Sequence, residues 1–139
     1  MSIRYLLDTN GLSEPIKSHP DERTLESLAE HDGELATCSL VWHELSFGAA
    51  RLAASKKRRA IEAYLEEAVR SVLPILLYDQ EAATWHACER ARLRKRGRPP
   101  SAADGQIAAI ARVNDLIVVT ANAKDFWRFK DLVVKDRSR

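Results

Sequence analysis

The sequence predicts an α/β domain in three layers, with helices over both faces of a central parallel sheet. Three observations predict it. Short apolar runs alternate with longer stretches of helical periodicity, as in parallel βαβ units. The first run, Ile3 to Leu7, is strand-like and ends abruptly in Asp8-Thr9-Asn10. The 139 residues are 45% hydrophobic and 30% charged, an ordinary globular balance with enough apolar material for one core. We read residues 1–139 as a single domain.

Composition narrows the function classes. The formal net charge of +2 permits nucleic-acid contact without demanding it. Cys38 and Cys88 stand far apart with no C-x-x-C pair, which points to a reduced, cytoplasmic setting and away from structural zinc. Asp8 interrupts any signal-peptide core, and no apolar stretch approaches the roughly 18 residues of a membrane span. There is no internal repeat or low-complexity segment.

The elements follow in order. After the first strand, Asn10 to Ile16 reads as a short helix. Pro20 suits the first position of the next helix, with Asp21 and Glu22 in its first turn and Gly33 at its end. Leu25, Leu28 and Ala29 give that helix its apolar face. Leu35 to Leu40 is the second strand. Ser39 is the expected cap of a helix from Leu40 to Ser55, with Leu45, Ala49 and Leu52 as its core stripe. Lys56–Arg59 opens a further helix, whose buried face is Ile61, Leu65, Ala68 and Val72, flanked by Tyr64 and Val69. Pro74 breaks that pattern, and Ile75 to Tyr78 is the third strand. Asp79 caps a long helix from Gln80 to Arg96, and Gly97-Arg98-Pro99-Pro100 is the clearest loop. Ser101 opens a helix through Arg112 with Ile107, Ile110 and Ala111 inward. Asn114-Asp115 turns the chain into Leu116–Thr120, its most strand-like run. Asp125-Phe126 falls in a short helix or turn. Leu132–Val134 is an edge strand, and Lys135 to Arg139 is expected to fray.

Acids recur at element junctions. Asp8 ends the first strand, Glu44 lies near the start of the helix after the second, Asp104 opens the helix after the Pro-Pro loop, and Asp125 follows the last central strand. In a parallel sheet, strand C-termini and the N-termini of the following helices share one edge, where such folds bind ligands. Converging carboxylates repel unless a cation neutralises them. A hard divalent ion, Mg²⁺ or Mn²⁺, with retained waters fits such a set best. That chemistry suits in-line attack of an activated water on a phosphodiester. Each acid alone has a plainer role. Asp8 ends a strand or caps a helix, Glu44 is a surface residue, Asp104 completes a capping box with Ser101, and Asp125 is a turn residue. Only their joint placement favours a site.

The motifs also resemble a known family. Leu6-Leu7-Asp8-Thr9-Asn10, Val41-Trp42-His43-Glu44-Leu45 with Gly48, Gly97-Arg98-Pro99-Pro100 with Asp104, Ile107, Ala108 and Ala109, and Val119-Thr120 with Asn122, Asp125 and Phe126 are similar, in order and spacing, to the four motifs of PIN-domain ribonucleases. Their length and layout are similar to the VapC toxins of bacterial toxin–antitoxin pairs. The resemblance spans nearly the whole chain. It implies Mg²⁺- or Mn²⁺-dependent endoribonuclease activity on tRNA, rRNA or mRNA, a homodimer, and inhibition by a small cognate VapB-like antitoxin. It maps Asp8, Glu44 and Asp104 onto the core acids and Asp125 onto the variable fourth. Thr9, Asn10, Thr120 and Asn122 take supporting places. Gly11 departs from the pattern, which more often has an aliphatic residue there. So does the ending Val134 to Arg139, where an Asn-Pro close is common.

Rival readings are a catalytically silent PIN-like module that binds RNA or a partner, and a phosphatase with Asp8 as nucleophile. The latter wants an acid at Asn10. His43-Glu44 lacks the second His of a zincin helix, since Phe47 occupies that place. Two basic groups remain. Lys56 to Arg59 reads as a solvated helix face. Arg90, Arg92, Arg94, Lys95, Arg96 and Arg98 run into the loop before Asp104. Arg94, Lys95, Arg96 and Arg98 are the candidates for holding RNA phosphates.

Overall fold

A computed structural model describes residues 2–137. Five strands form one parallel sheet: β1 (Tyr5–Leu7), β2 (Leu35–Cys38), β3 (Ile75–Leu76), β4 (Ile117–Thr120) and β5 (Val134–Asp136), in the order β3-β2-β1-β4-β5. Six α-helices connect them: α1 (Thr9–Ser13), α2 (Glu22–Glu30), α3 (Ser39–Ala50), α4 (Lys56–Tyr64), α5 (Gln80–Lys95) and α6 (Ala102–Val113). Parallel crossovers are right-handed. The helices between β1 and β3 therefore cover one face, and α5 and α6, which carry the chain from β3 back to β4, cover the other. The contacts agree, with α1 on α3, α3 on α4 and α5 on α6. This is the three-layer arrangement that the alternation of elements predicted.

The central strands are apolar because both their faces are covered. Tyr5, Leu6, Leu7, Ala36, Cys38 and Val118 are buried, as are Ala108 to Ala111 of α6. Strand β1 lies between β2 and β4, and this puts Asp8 at the middle of the sheet's carboxyl edge.

Several boundaries differ from expectation, each for a local reason. Asp21, not Pro20, starts α2: its carboxylate accepts from Thr24 N at 3.1 Å and Thr24 Oγ1 at 2.7 Å, so the cap outweighs a proline first turn. Thr24 is the buried residue of α2, and Ala29 is exposed. Helix α3 begins at Ser39 itself, with Cys38 as the uncapped preceding residue, and ends at Ala50, so Glu44 falls in its second turn. The remainder of the expected helix unwinds, and Ser55 caps α4 by accepting from Arg58 N; Leu52 there is only half-buried.

Beyond Tyr64 the helix widens into a π segment, Leu65–Arg70. Leu65 is buried as expected and Val69, expected at the flank, is fully buried, whereas Ala68 is exposed and Val72 is 58% exposed. Strand β3 keeps only two residues, since Leu77 is already solvent-facing. Strand β5 pairs Val134, Lys135 and Asp136 with Val118, Val119 and Thr120. The expected fraying is therefore wrong for residues 135–137: Arg137 N donates to Thr120 O and its guanidinium lies 3.9 Å from buried Glu14. Residues 138 and 139 lie outside the described part.

Candidate active site

The site starts from Asp8. Its backbone leaves β1 extended, and its side chain caps α1, accepting from Gly11 N at 2.8 Å through Oδ1. The other oxygen, Oδ2, accepts from Thr120 Oγ1 at 2.8 Å. That hydroxyl in turn accepts from Asn122 N at 3.0 Å. Asp8 and Thr120 are both buried, so the ends of β1 and β4 are joined by a hydrogen-bond chain that water does not weaken. Gly11 leaves room beside the carboxylate. A Cβ there would stand 3.3 Å from Asp8 Oδ1 and press on the carboxylate. The aliphatic residue expected from the family pattern would have to displace it.

Glu44 reaches the same edge from α3 and accepts from Thr9 Oγ1 at 2.6 Å. Asp104 comes from the first turn of α6, where Ser101 Oγ accepts from its backbone N at 3.1 Å, the cap anticipated from Ser101-x-x-Asp104. Ser101 thus touches both the main chain of Asp104 and its carboxyl, and the carboxylate also lines the cleft. Burial pushes the Asp104 carboxyl up; the Ser101 hydroxyl opposes this, the Asp125 charge raises it further, Arg128 lowers it, and Glu44 adds to the rise. Asp125 is carried by a 3₁₀ turn, Ala123–Asp125, after β4.

Asp8, Thr9, Asn10, Glu44, Asp104, Thr120, Asn122 and Asp125 line one cleft of about 200 Å³, floored by Ala103, Ile107 and Phe126. All eight residues singled out from the sequence for this site therefore meet. The basic candidates do not. Arg94 and Lys95 face a separate hollow on α5, and Arg96 is exposed at the end of that helix. Only Arg98 borders a groove that shares Asp125. Arg92 is structural: its guanidinium grips Glu89 at 2.7 and 2.8 Å and donates to Arg128 O. Arg128 was not anticipated, although its place three residues after Asp125 was the available signal.

Among the described residues no three acidic, imidazole or thiol groups close into a ready-made metal cage. An open set of carboxylates suits Mg²⁺ or Mn²⁺, which keep several waters and take few protein ligands directly. Burial is the main cause that raises Asp104, and the smaller like-charge share from Asp125 and Glu44 is one that a divalent cation would neutralise. On this ground the donor set fits such an ion.

A parallel sheet in this order with an acidic cleft at its carboxyl edge defines a class, and comparison identifies it. The PIN domain family model matches residues 5–132, and the chain belongs to that family. Its relatives include one named a toxin, FitB, and others named VapC endonucleases or ribonucleases. It is 36% identical over 130 residues to Toxin FitB of Neisseria gonorrhoeae, covering 88% of this chain and 90% of that protein. It is 32% identical over 136 residues to the tRNA(fMet)-specific endonuclease VapC of Shigella flexneri, covering 98% and 99%. The crystal structure of FitAcB from Neisseria gonorrhoeae superposes with a TM-score of 0.90 at 30% identity, over 97% of this chain and 99% of that one.

Proposed function

We propose that the chain is a metal-dependent endoribonuclease and the toxin of a VapBC-like toxin–antitoxin pair. The observation that carries this reading is the meeting of Asp8, Glu44, Asp104 and Asp125, from four separate motifs, in one cleft. Asp8, Glu44 and Asp104 hold Mg²⁺ or Mn²⁺, and Asp125 completes the set. The ion, when bound, supplies Lewis-acid stabilisation of the phosphodiester and a more acidic water. The protein supplies fixed geometry. Gly11 N and Thr120 Oγ1 lock both oxygens of Asp8, and Thr9 orients Glu44. Asp104 and Asp125 present negative charge from the opposite wall, and Asn10 and Asn122 offer neutral polar groups to the substrate or to water.

The partner is a small VapB-like antitoxin, and the compartment is the cytoplasm, which suits the two free thiols Cys38 and Cys88. Among the described residues no helix is long and apolar enough to cross a membrane. The Shigella relative's name makes tRNA the first substrate to try. The test is cleavage of labelled tRNA, rRNA and mRNA by the purified chain with Mg²⁺, with Mn²⁺ and with EDTA. We expect cleavage that EDTA abolishes and that Asp8→Asn or Asp104→Asn removes. Retained RNA binding with no cleavage under any divalent metal would establish the silent-module reading instead.

A further inference from the structure

Next to the acid cleft lies a second, more open groove. One wall is the loop Gly97, Arg98 and Pro99. The other is the turn that carries Lys124, Trp127 and Arg128, and Asp125 is common to both depressions. Trp127 is 61% exposed, whereas Trp42 and Trp85 pack against the core. A lone exposed apolar residue is ordinary by itself. This one lines the groove together with Arg98, Lys124 and Arg128, and among the described residues none of these cations is in an ion pair.

The indole also stands on a rigid base. Trp127 N donates to Ala123 O at 3.2 Å, and Arg92 holds Arg128 O at 2.8 Å. Buried Glu89 accepts from Lys130 N at 2.7 Å, and Phe126 and Phe129 on either side are buried. Arg128 Nη1 donates to Arg98 O at 3.3 Å, which ties the two walls together. An exposed π-face on an anchored turn, beside cations that lack ion pairs, is the pattern that binds single-stranded nucleic acid, with bases stacked and phosphates held.

We propose that Trp127 is a stacking platform for one unpaired nucleobase of the RNA substrate, beside the phosphate that reaches the acid cleft. Arg98, Lys124 and Arg128 hold the flanking backbone. The identity of the ligand rests on the endoribonuclease reading; the platform's geometry does not. A duplex cannot offer a free base face to the indole, so the groove selects an unpaired nucleotide.

Binding, separated from cleavage, tests this. All variants carry Asp104→Asn, and the probe is a short fluorescein-labelled single-stranded RNA, followed by anisotropy in EDTA, and then the same strand annealed to its complement. W127A should weaken single-strand binding about tenfold and barely change duplex binding. W127F should keep most of the affinity yet lose the RNA-induced quenching of indole emission, which a merely structural role would not produce. Equal single-strand affinity in W127A would overturn the platform and leave the nuclease reading intact. A change in mass of W127A by light scattering, with RNA affinity unchanged, would instead place the indole in a contact with another protein chain and also overturn it. If the wild-type chain cuts no RNA but W127A still loses single-strand affinity, the nuclease reading fails and the platform stands.

Discussion

At Asp104 the backbone and the side chain answer to different forces. Its N–H completes the Ser101 cap, and its carboxylate is raised first by burial and then by Asp125 and Glu44, against the Ser101 hydroxyl and Arg128, which lower it. A carboxyl whose folded pKa lies above its unfolded value favours the fold when protonated, so the ionised group opposes folding at neutral pH and that opposition fades on acidification. Asp104→Asn, melted in EDTA at neutral pH, should therefore be as stable as wild type or more so, while cleavage is lost. Ser101→Ala should cost about 1 kcal/mol and still cut RNA. A lower melting temperature for Asp104→Asn would show that the carboxylate serves the cap. Thr120 presents the opposite case. Thr120→Val removes the donor to buried Asp8 and the acceptor for Asn122 N. Denaturant titration should show a loss of about 2 kcal/mol.

Helices α5 and α6 are set against each other by a glycine. A Cβ on Gly105 would lie 2.1 Å from His86 Nε2, and His86 is buried and shares a 2.8 Å hydrogen bond with Tyr78 Oη. The imidazole ring cannot flex aside as a long chain end would. Gly105→Ala should cost about 2 kcal/mol by overpacking and displace Asp104, one residue away, lowering cleavage as well. In a His86→Ala background the same change should cost much less, a coupling that a double-mutant cycle measures. Sequence periodicity placed α6 correctly because its apolar spacing is regular and its cap is local. In the helix that Lys56 opens it placed Leu65 correctly in the buried face, but the turn to a π segment leaves Ala68 exposed, and Val72, beyond that segment, is exposed too.

For the whole molecule, acid and metal response follow from how carboxylates are held. Glu89 is lowered by its hydrogen bond to Arg92 despite burial, and Glu14 by its hydrogen bond to Lys17. Asp21 is lowered by Thr24. Depressed folded values mean stability that is present above the unfolded pKa and lost as pH falls through the folded one. Unfolding free energy should start to fall below about pH 6.5, because burial lowers His86 and the unfolded imidazole protonates first, and fall more steeply below about pH 5 as these carboxylates protonate. Glu89→Gln should be less stable at neutral pH and show a shallower acid limb in a pH series of melts. A divalent ion held by the cleft should act in the other direction. Mg²⁺ at a hundredfold over its dissociation constant should add about 2.7 kcal/mol, a shift that Asp8→Asn largely loses. Phe47, Val72 and Leu77 are 60%, 58% and 67% exposed on α3, after the π segment and after β3. Light scattering should find a homodimer, as the family resemblance implies; a monomer at tens of micromolar would count against it.

What the sequence by itself determined was local or periodic: the strands, the caps Asp79 and Ser101, and the acids at element ends. Because a parallel sheet collects strand C-termini on one edge, those acids were legible as a set before any coordinates. Tertiary structure alone decided the rest, because it depends on partners distant in the chain. Thr120 meets Asp8 across 112 residues, and Thr9 meets Glu44 across 35. Arg92 leaves the basic run to hold Arg128 O across 36 residues, while Arg98 and Trp127, 29 positions apart in numbering, come to border one groove. No window of sequence contains both members of such pairs, and only the packed fold brings them together.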